Sequence, residues 1–488
     1  MFVPKNLQPA HFAVRPAVIA KYLGQILAVV AALTVVPALV SLAWGRWETA
    51  LWYAGVIGGV LAIALPCTRL PVSNHLQRNE ALVISGLVFV LPPFALALPM
   101  MSYGLSYEDA VFEVVSGITT TGLSVVANVE QLPFPFHFAR AWLQWVGGLG
   151  VIVLSVAFLL EPGTATRHLG FDKGEVDDVV GGTRAHARRV LAVYALVTAA
   201  GFLLLILTGM NAGDALLHAL AAISTGGFSS YNDSLASLGT PERIGISIIC
   251  LAGTAPFFLF YSARMGRWRV VFRDAQLKTL FTMVALVTAT IFAFQWMASP
   301  GDLFGSLETA AVTAISAQST AGFSVVGFDE LSSASVAILV GAMMIGGALG
   351  STAGGVKLLR LLIVVRFLHL LVLRCSVSAN AYVTARVGGR RVEDREIESA
   401  AAIVFGYFVV AFLSFIVFLA HDQPALESLF EVASAVGTAG LSSGLTGPDM
   451  PTTLKAVLCF GMLMGRVETV ALIVLLFPGT WIGRRYRR

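Results

Sequence analysis

Four short polar stretches interrupt an otherwise apolar chain, and all four carry the same residue types. They read Ser116-Gly-Ile-Thr-Thr-Thr-Gly122-Leu-Ser, Ala222-Ile-Ser-Thr-Gly-Gly227-Phe-Ser, Gln318-Ser-Thr-Ala-Gly322-Phe-Ser and Val436-Gly-Thr-Ala-Gly440-Leu-Ser. Aligned on the last glycine before Leu or Phe, each is Thr-small-Gly-(Leu/Phe)-Ser, with anchor glycines 105, 95 and 118 residues apart. Glycine adopts backbone angles that turn successive carbonyls to one side, and small neighbours allow close approach. Four such strands around one axis would offer rings of carbonyl oxygens able to replace the hydration shell of a cation such as potassium. The candidate ion-binding residues are Thr120, Thr121 and Gly122; Thr225, Gly226 and Gly227; Thr320, Ala321 and Gly322; and Thr438, Ala439 and Gly440. Glycines that merely pack helices are the plain alternative, and four copies in equivalent places weigh against it.

The strands agree upstream as well. Nine residues before each anchor stand Glu113, His218, Thr313 and Glu431; thirteen before stand Asp109, Asp214, Thr309 and Glu427. The outer set suits the first turn of a helix, where acids and short polar side chains meet unpaired amides. The deeper set could brace each strand through its backbone, or form an ordinary buried polar network.

Two further features are costly inside a membrane. The run Gly346-Gly347-Ala-Leu-Gly350-Ser351-Thr352-Ala-Gly354-Gly355-Val-Lys357 interrupts a long apolar segment. Non-helical backbone at that depth must line water or be buried in protein, so the run reads as a gating loop or as a loosely packed kink. Arg466 lies in the middle of the last span, and Glu468 follows two residues on. A charge there faces the bundle interior or a cavity, as an electrostatic barrier to cations or as half of a structural ion pair.

The elements that must position these residues are membrane helices. The chain has 488 residues, 57% of them hydrophobic and 12% charged, with mean hydropathy +0.81, and such a composition belongs to polytopic membrane proteins. Spanning takes about 20 apolar residues; ten segments qualify, near 20–44, 48–67, 79–101, 138–160, 187–209, 243–263, 277–298, 333–373, 398–420 and 453–478. The first is too long for a signal-peptide core and is expected to be retained. Shorter runs at 106–117, 212–223, 305–317 and 424–435 cannot span, and each leads into one polar strand. The expected fold is an all-α polytopic membrane protein: two leading helices plus four helix–pore-helix–filter–helix repeats around a pseudo-four-fold pore. The expected divisions are an N-terminal extension over 1–78 and repeats over 79–161, 187–264, 277–375 and 398–488.

Charge orients this arrangement. Lys5, Arg15, Arg184, Arg188, Arg189, Arg264, Arg267, Arg269, Arg273, Lys278, Arg386, Arg390, Arg391, Arg395 and the terminal Arg484, Arg485, Arg487 and Arg488 fall on one side of a ten-helix model, the cytoplasmic side with both termini. The strands then open outward. Glu108, Asp109, Asp233, Asp302, Asp329, Asp422 and Asp449 lie near that mouth, as a cation-concentrating vestibule or as a solvated rim. Cys67, Cys250, Cys375 and Cys459 have no metal or disulfide spacing and read as packing residues. No catalytic constellation, Walker pattern or nucleic-acid-binding tract is present, so an enzyme is not expected.

On these residues the chain resembles the Trk/Ktr/HKT superfamily of potassium transporters, most closely the bacterial Trk-type uptake subunit. The most specific pieces are the Thr-Thr-Gly122 strand, Trp142-Leu-Gln-Trp145-Val-Gly-Gly-Leu-Gly150, the Gly346–Lys357 loop and Gly465-Arg466. The resemblance implies potassium as the transported substrate, no organic cofactor, residence in a bacterial inner membrane, a homodimer, and a separate cytosolic regulatory subunit with nucleotide-binding domains. It also implies that Gly122, Gly227, Gly322 and Gly440 form the filter, above a gate built from the loop and Arg466. Gly122 points to potassium, since a serine there accompanies sodium preference in the family. Gly226 leaves the second anchor ambiguous by one residue, and the fourth strand is closer to the Ktr form.

Overall fold

The computed structural model describes residues 13–72, 76–159, 179–298, 301–376, 385–467 and 469–482, without the side chains of 154–159 and 179–187. Lys5, Glu468, the four terminal arginines and the side chain of Arg184 lie outside the described residues. Nearly everything described is helical: α1 (Pro16–Ala43), α2 (Trp47–Thr68), α3 (Arg78–Met101), α4 (Tyr107–Ile118), α5 (Phe134–Leu159), α6 (Val179–Leu207), α7 (Ala212–Ile223), α8 (Thr240–Thr254), α9 (Phe257–Arg264), α10 (Trp268–Arg273), α11 (Ala275–Ala298), α12 (Leu303–Ser319), α13 (Ser333–Ile345), α14 (Leu358–Ser376), α15 (Asp394–Ala420), α16 (Ala425–Gly437), α17 (Thr452–Arg466), α18 (Thr469–Leu476) and α19 (Pro478–Trp481). A two-residue ribbon pairs Arg386–Val387 with Arg390–Arg391. Among the described residues, six helices are long and apolar enough to cross a membrane, or eight if each bent pair is one span. The chain is an all-α multi-pass membrane protein.

Each of the ten expected segments falls on helix, but three rather than one are broken. The break within 333–373 was expected, and it separates α13 from α14. The segment 243–263 bends by 93° between α8 and α9, and within 453–478 α17 ends at Arg466 and α18 begins at Thr469. Pro256 explains the first bend: it has no N–H to donate, and Ala255 before it takes an extended ψ of 149°. Apolar length alone does not reveal such a bend, because both halves keep their hydropathy.

The chain forms two compact units. Residues 1–111 with 467–488 make one. In it α1 packs along α2 and α3, and α18 packs on α3. Val14, Ile19, Val83 and Ile84 form its core with Val474 and Leu475 against them. Arg15 pairs with the fully buried Glu80 at 2.7 Å. Residues 112–466 make the other unit, and all four polar strands lie in it.

Candidate functional site

The four half-helices α4, α7, α12 and α16 end in the same way. Thr120, Thr225, Thr320 and Thr438 take left-handed φ values of 53°, 53°, 55° and 48°, a conformation that costs a non-glycine residue about 1–2 kcal/mol. The N–H of the next residue then donates to the carbonyl five positions back: Thr121 to Ser116, Gly226 to Ala221, Ala321 to Ser316 and Ala439 to Ser434, at 2.8–2.9 Å. The anchor glycines Gly122, Gly227, Gly322 and Gly440 follow at φ 97°, 77°, 76° and 82°. The second anchor is therefore Gly227, since Thr225 and not Ser224 matches the other left-handed threonines.

The glycines also meet one another's strands. A Cβ on Gly122 would collide with the Gly226 carbonyl, one on Gly227 with Ala321, one on Gly322 with Ala439, and one on Gly440 with Thr121. Each anchor glycine faces the carbonyl just before the next anchor, and the fourth strand returns to the first. The four strands form a closed ring with Thr121, Gly226, Ala321 and Ala439 carbonyls at its seams. A side chain at an anchor position is disfavoured twice, by backbone angle and by contact.

Beyond the anchors, Gly122, Gly227, Gly322 and Gly440 line one cavity of about 600 Å³. Its acidic residues are Asp233, Asp329 and Glu330. Of the seven acids expected at the mouth, only Asp233 and Asp329 line this cavity. Others serve helix ends: the Asp302 carboxylate accepts from the Phe304 and Gly305 amides, and Asp109 bonds Ser106 at the start of α4. Nearby, Asp214 accepts from Ser230 and Tyr231 at 2.8 Å. Burial, that bond and the carboxylates of Glu130 and Asp233 push the Tyr231 phenol up to about 12, so it remains a donor.

The residues nine before each anchor reach the serine two after it, with one exception. Glu113 accepts from the Ser124 hydroxyl and the Val125 amide, both at 2.7 Å, and pairs with the buried Arg140 at 3.1 Å. Glu431 accepts from Ser442, from the Ser443 amide at 2.7 Å and from Thr446. His218 meets Ser229 at 3.2 Å. The Thr313 hydroxyl is buried with no hydrogen bond, and Ser324 turns to the Val326 carbonyl instead. Thr309 also departs from its expected role: α12 begins at Leu303 under an Asp302 cap, so Thr309 lies in the second turn.

The C-terminal ends of α7, α12 and α16 meet the Gly346–Lys357 loop. Its Ser351, Thr352, Ala353 and Lys357 are buried, so it is not a loosely packed kink. The Gln318 amide donates to the Gly346 carbonyl at 2.6 Å. The Gly354 amide donates to the Thr320 hydroxyl at 2.6 Å. The Thr352 hydroxyl lies 2.9 Å from the Ile223 carbonyl, and the Gly355 amide donates to Gly437 at 3.1 Å. The loop thus touches three of the four quarters. Arg466 is 4% exposed and donates to the Thr352 carbonyl at 2.7 Å and the Gly147 carbonyl at 3.4 Å. Its described partners are carbonyls rather than the carboxylate that an ion-pair reading requires.

Composition and motif alone did not single out Arg140, Gln144 and Gln318. Gln144 donates to Gly226 at 2.6 Å and accepts from the Phe228 amide at 3.2 Å, clasping the second strand. The available signal was polarity inside the apolar span of α5. Among the cysteines, Cys250 is buried as expected and Cys375 is exposed.

The chain is similar to known transport proteins over nearly its whole length. The family described as "Cation transport protein", TrkH, matches residues 93–478. The Trk system potassium uptake protein TrkI of Halomonas elongata is 30% identical, covering 96% of this chain and 97% of its own. The TrkH potassium uptake protein of Escherichia coli K12 is 28% identical, covering 95% and 99%. The crystal structure of the potassium transporter TrkH from Vibrio parahaemolyticus superposes with a TM-score of 0.85 at 25% identity, over 96% of this chain and all of that one. With over half of its length matched by that family and the same fold as a solved member, this chain belongs to the TrkH family of cation transport proteins.

Proposed function

We propose that this chain carries potassium ions into the cell through the ring of four polar strands, with the Gly346–Lys357 loop as its gate. The closed ring of backbone carbonyls carries the reading. Four strands with the same left-handed threonine, the same turn and the same glycine offer oxygens to a dehydrated cation from all sides, and the wide acidic cavity beyond them favours cations. The potassium uptake activity in the names of the relatives agrees with it. Thr120, Thr121, Gly122, Thr225, Gly226, Gly227, Thr320, Ala321, Gly322, Thr438, Ala439 and Gly440 coordinate the ion in turn. Gly346, Gly347, Gly350, Ser351, Thr352, Gly354, Gly355 and Lys357 form the gate, seated by Arg466, whose charge opposes cations when the loop is in place.

The basic segments lie on the cytoplasmic side in this reading, with both termini. A cytosolic nucleotide-binding regulator would dock there, on a homodimer in a bacterial inner membrane. The four pore repeats after the leading pair are the functional units. The competing reading is a sodium-permeable or ion-coupled transporter. Uptake into liposomes holding the purified protein, with potassium and sodium gradients in turn, separates the two. Potassium uptake should exceed sodium uptake, and Gly322→Ser should narrow the difference. Sodium uptake equal to potassium would favour the competing reading; uptake of neither ion would overturn both.

A further inference from the structure

We propose that the elbow α9–α10 is a binding site for anionic phospholipid headgroups, and that occupancy of this site holds the Gly346–Lys357 loop in its seat. Beyond the 93° bend α9 still packs on α6, but residues 264–270, 272 and 273 are all exposed. Arginine and large apolar residues alternate there: Arg264, Met265, Arg267, Trp268, Arg269, Val270, Phe272 and Arg273. Trp268 is 55% exposed and Phe272 70%, and their rings lie 6.5 Å apart. The exposed Arg188 and Arg189, in the third turn of α6, add to the same patch, with the Arg189 guanidinium 5.9 Å from the Tyr261 ring of α9. The first acid after the elbow, Asp274, is occupied in capping α11 through the Leu277 amide.

This chemistry selects its occupant. A soluble acidic partner would satisfy the arginines but leave Trp268, Val270 and Phe272 in water. The boundary between headgroups and acyl chains satisfies both, because aromatic rings settle there and arginines reach phosphates while their stems stay apolar. Clusters of four or more basic residues on a short amphipathic segment favour anionic over zwitterionic lipid.

The site is bracketed by residues that grip the loop. Just before the elbow, the Gly253 carbonyl accepts from the Thr352 amide at 3.1 Å, the Thr254 carbonyl accepts from Ala348 at 3.3 Å, and the Phe257 amide donates to Gly350 at 3.0 Å. Just after it, Gln276 accepts from the Leu349 amide at 2.8 Å. Residues 348–352 are thus held from both flanks of the elbow, and moving the elbow moves their hydrogen-bond partners. Lipid binding follows from the elbow alone, whereas its effect on flux rests on the proposal that the loop is the gate.

The test has separate readouts for the two halves. Native mass spectrometry of the detergent-purified protein, titrated with phosphatidylglycerol or phosphatidylcholine, reads binding. Phosphatidylglycerol should be retained preferentially; the R267Q/R269Q/R273Q variant should lose at least about tenfold in that affinity, and R267K/R269K/R273K should keep most of it. Equal retention of both lipids by the unmodified protein, or undiminished phosphatidylglycerol binding by the glutamine variant, would overturn the site. Labelling of Ser351→Cys by a thiol reagent, on a Cys375→Ser background in vesicles with or without phosphatidylglycerol, reads the loop. Labelling should be slower with phosphatidylglycerol, and the glutamine variant should lose that difference. Identical labelling in both vesicles would overturn the coupling whether or not the protein conducts potassium.

Discussion

The first and third quarters of the ring have the same backbone and opposite supports. In the first, the fully buried Glu113 holds Ser124 and Val125 and is itself held by Arg140, all on the side of the wide cavity. In the third, Thr313 makes no such bond. There the half-helix end is tied to the loop, through Gln318 to Gly346 and through Thr320 from Gly354, while Ser324 on the cavity side is held by the Ser234 hydroxyl and the Leu235 amide. One strand is fixed by a buried charge pair, the other by neutral hydrogen bonds, two of them to a segment that must leave if the loop is a gate. The two quarters are therefore braced by different chemistry, and equivalence of sequence at Thr-small-Gly does not imply equivalence of stiffness.

Removing the charge clamp should have the largest effect. Glu113→Ala leaves the Arg140 guanidinium buried beside no carboxylate, a loss of about 3–5 kcal/mol, read as a large fall in melting temperature in detergent and a lower potassium-to-sodium flux ratio. A variant as stable as the parent would show that the first quarter does not depend on this pair. Gln318→Leu is next: it leaves the Gly346 carbonyl unpaired in a buried site, at about 1–3 kcal/mol. It should speed thiol labelling of Ser351→Cys, whereas Glu113→Ala should not, and the reverse pattern would invert the comparison. Thr313→Val should be the mildest. It removes a hydroxyl that already lacks a partner, so thermal denaturation should show a change within about 0.5 kcal/mol; a clear loss of stability would reveal a hidden support.

The repeated motif made much of this legible in the sequence, because a strand that needs glycine for both angle and contact keeps its residue types. The half-helices were legible for a related reason, being too short to span. The bend at Pro256 and the end of α17 at Arg466 were not, since hydropathy continues through them. The supports were half legible. Position nine before each anchor could be aligned, but whether Glu113 holds a serine, an amide or an arginine depends on α5, which the repeat does not encode. Gln318 was hidden for the opposite reason. The matching residues Ile118, Ile223 and Val436 accept a close helix glycine against their carbonyls, from Gly147, Gly253 and Gly465. In the third quarter α13 stops at Ile345, and the Gln318 side chain reaches the carbonyl of Gly346, the residue that caps it.

The closing order of the ring gives it a rotational sense. Gly122 leans on the second strand, Gly227 on the third, Gly322 on the fourth and Gly440 on the first, so every seam has a giver and a receiver. Bulk added at one anchor displaces the carbonyl of its successor and leaves that of its predecessor alone. Damage at Gly227 is thus delivered to the loop-tied third strand, while damage at Gly440 is delivered to the first, where a charge pair resists it. Chemically similar lesions at equivalent glycines become different faults of the same ring, ranked by which neighbour stands downstream.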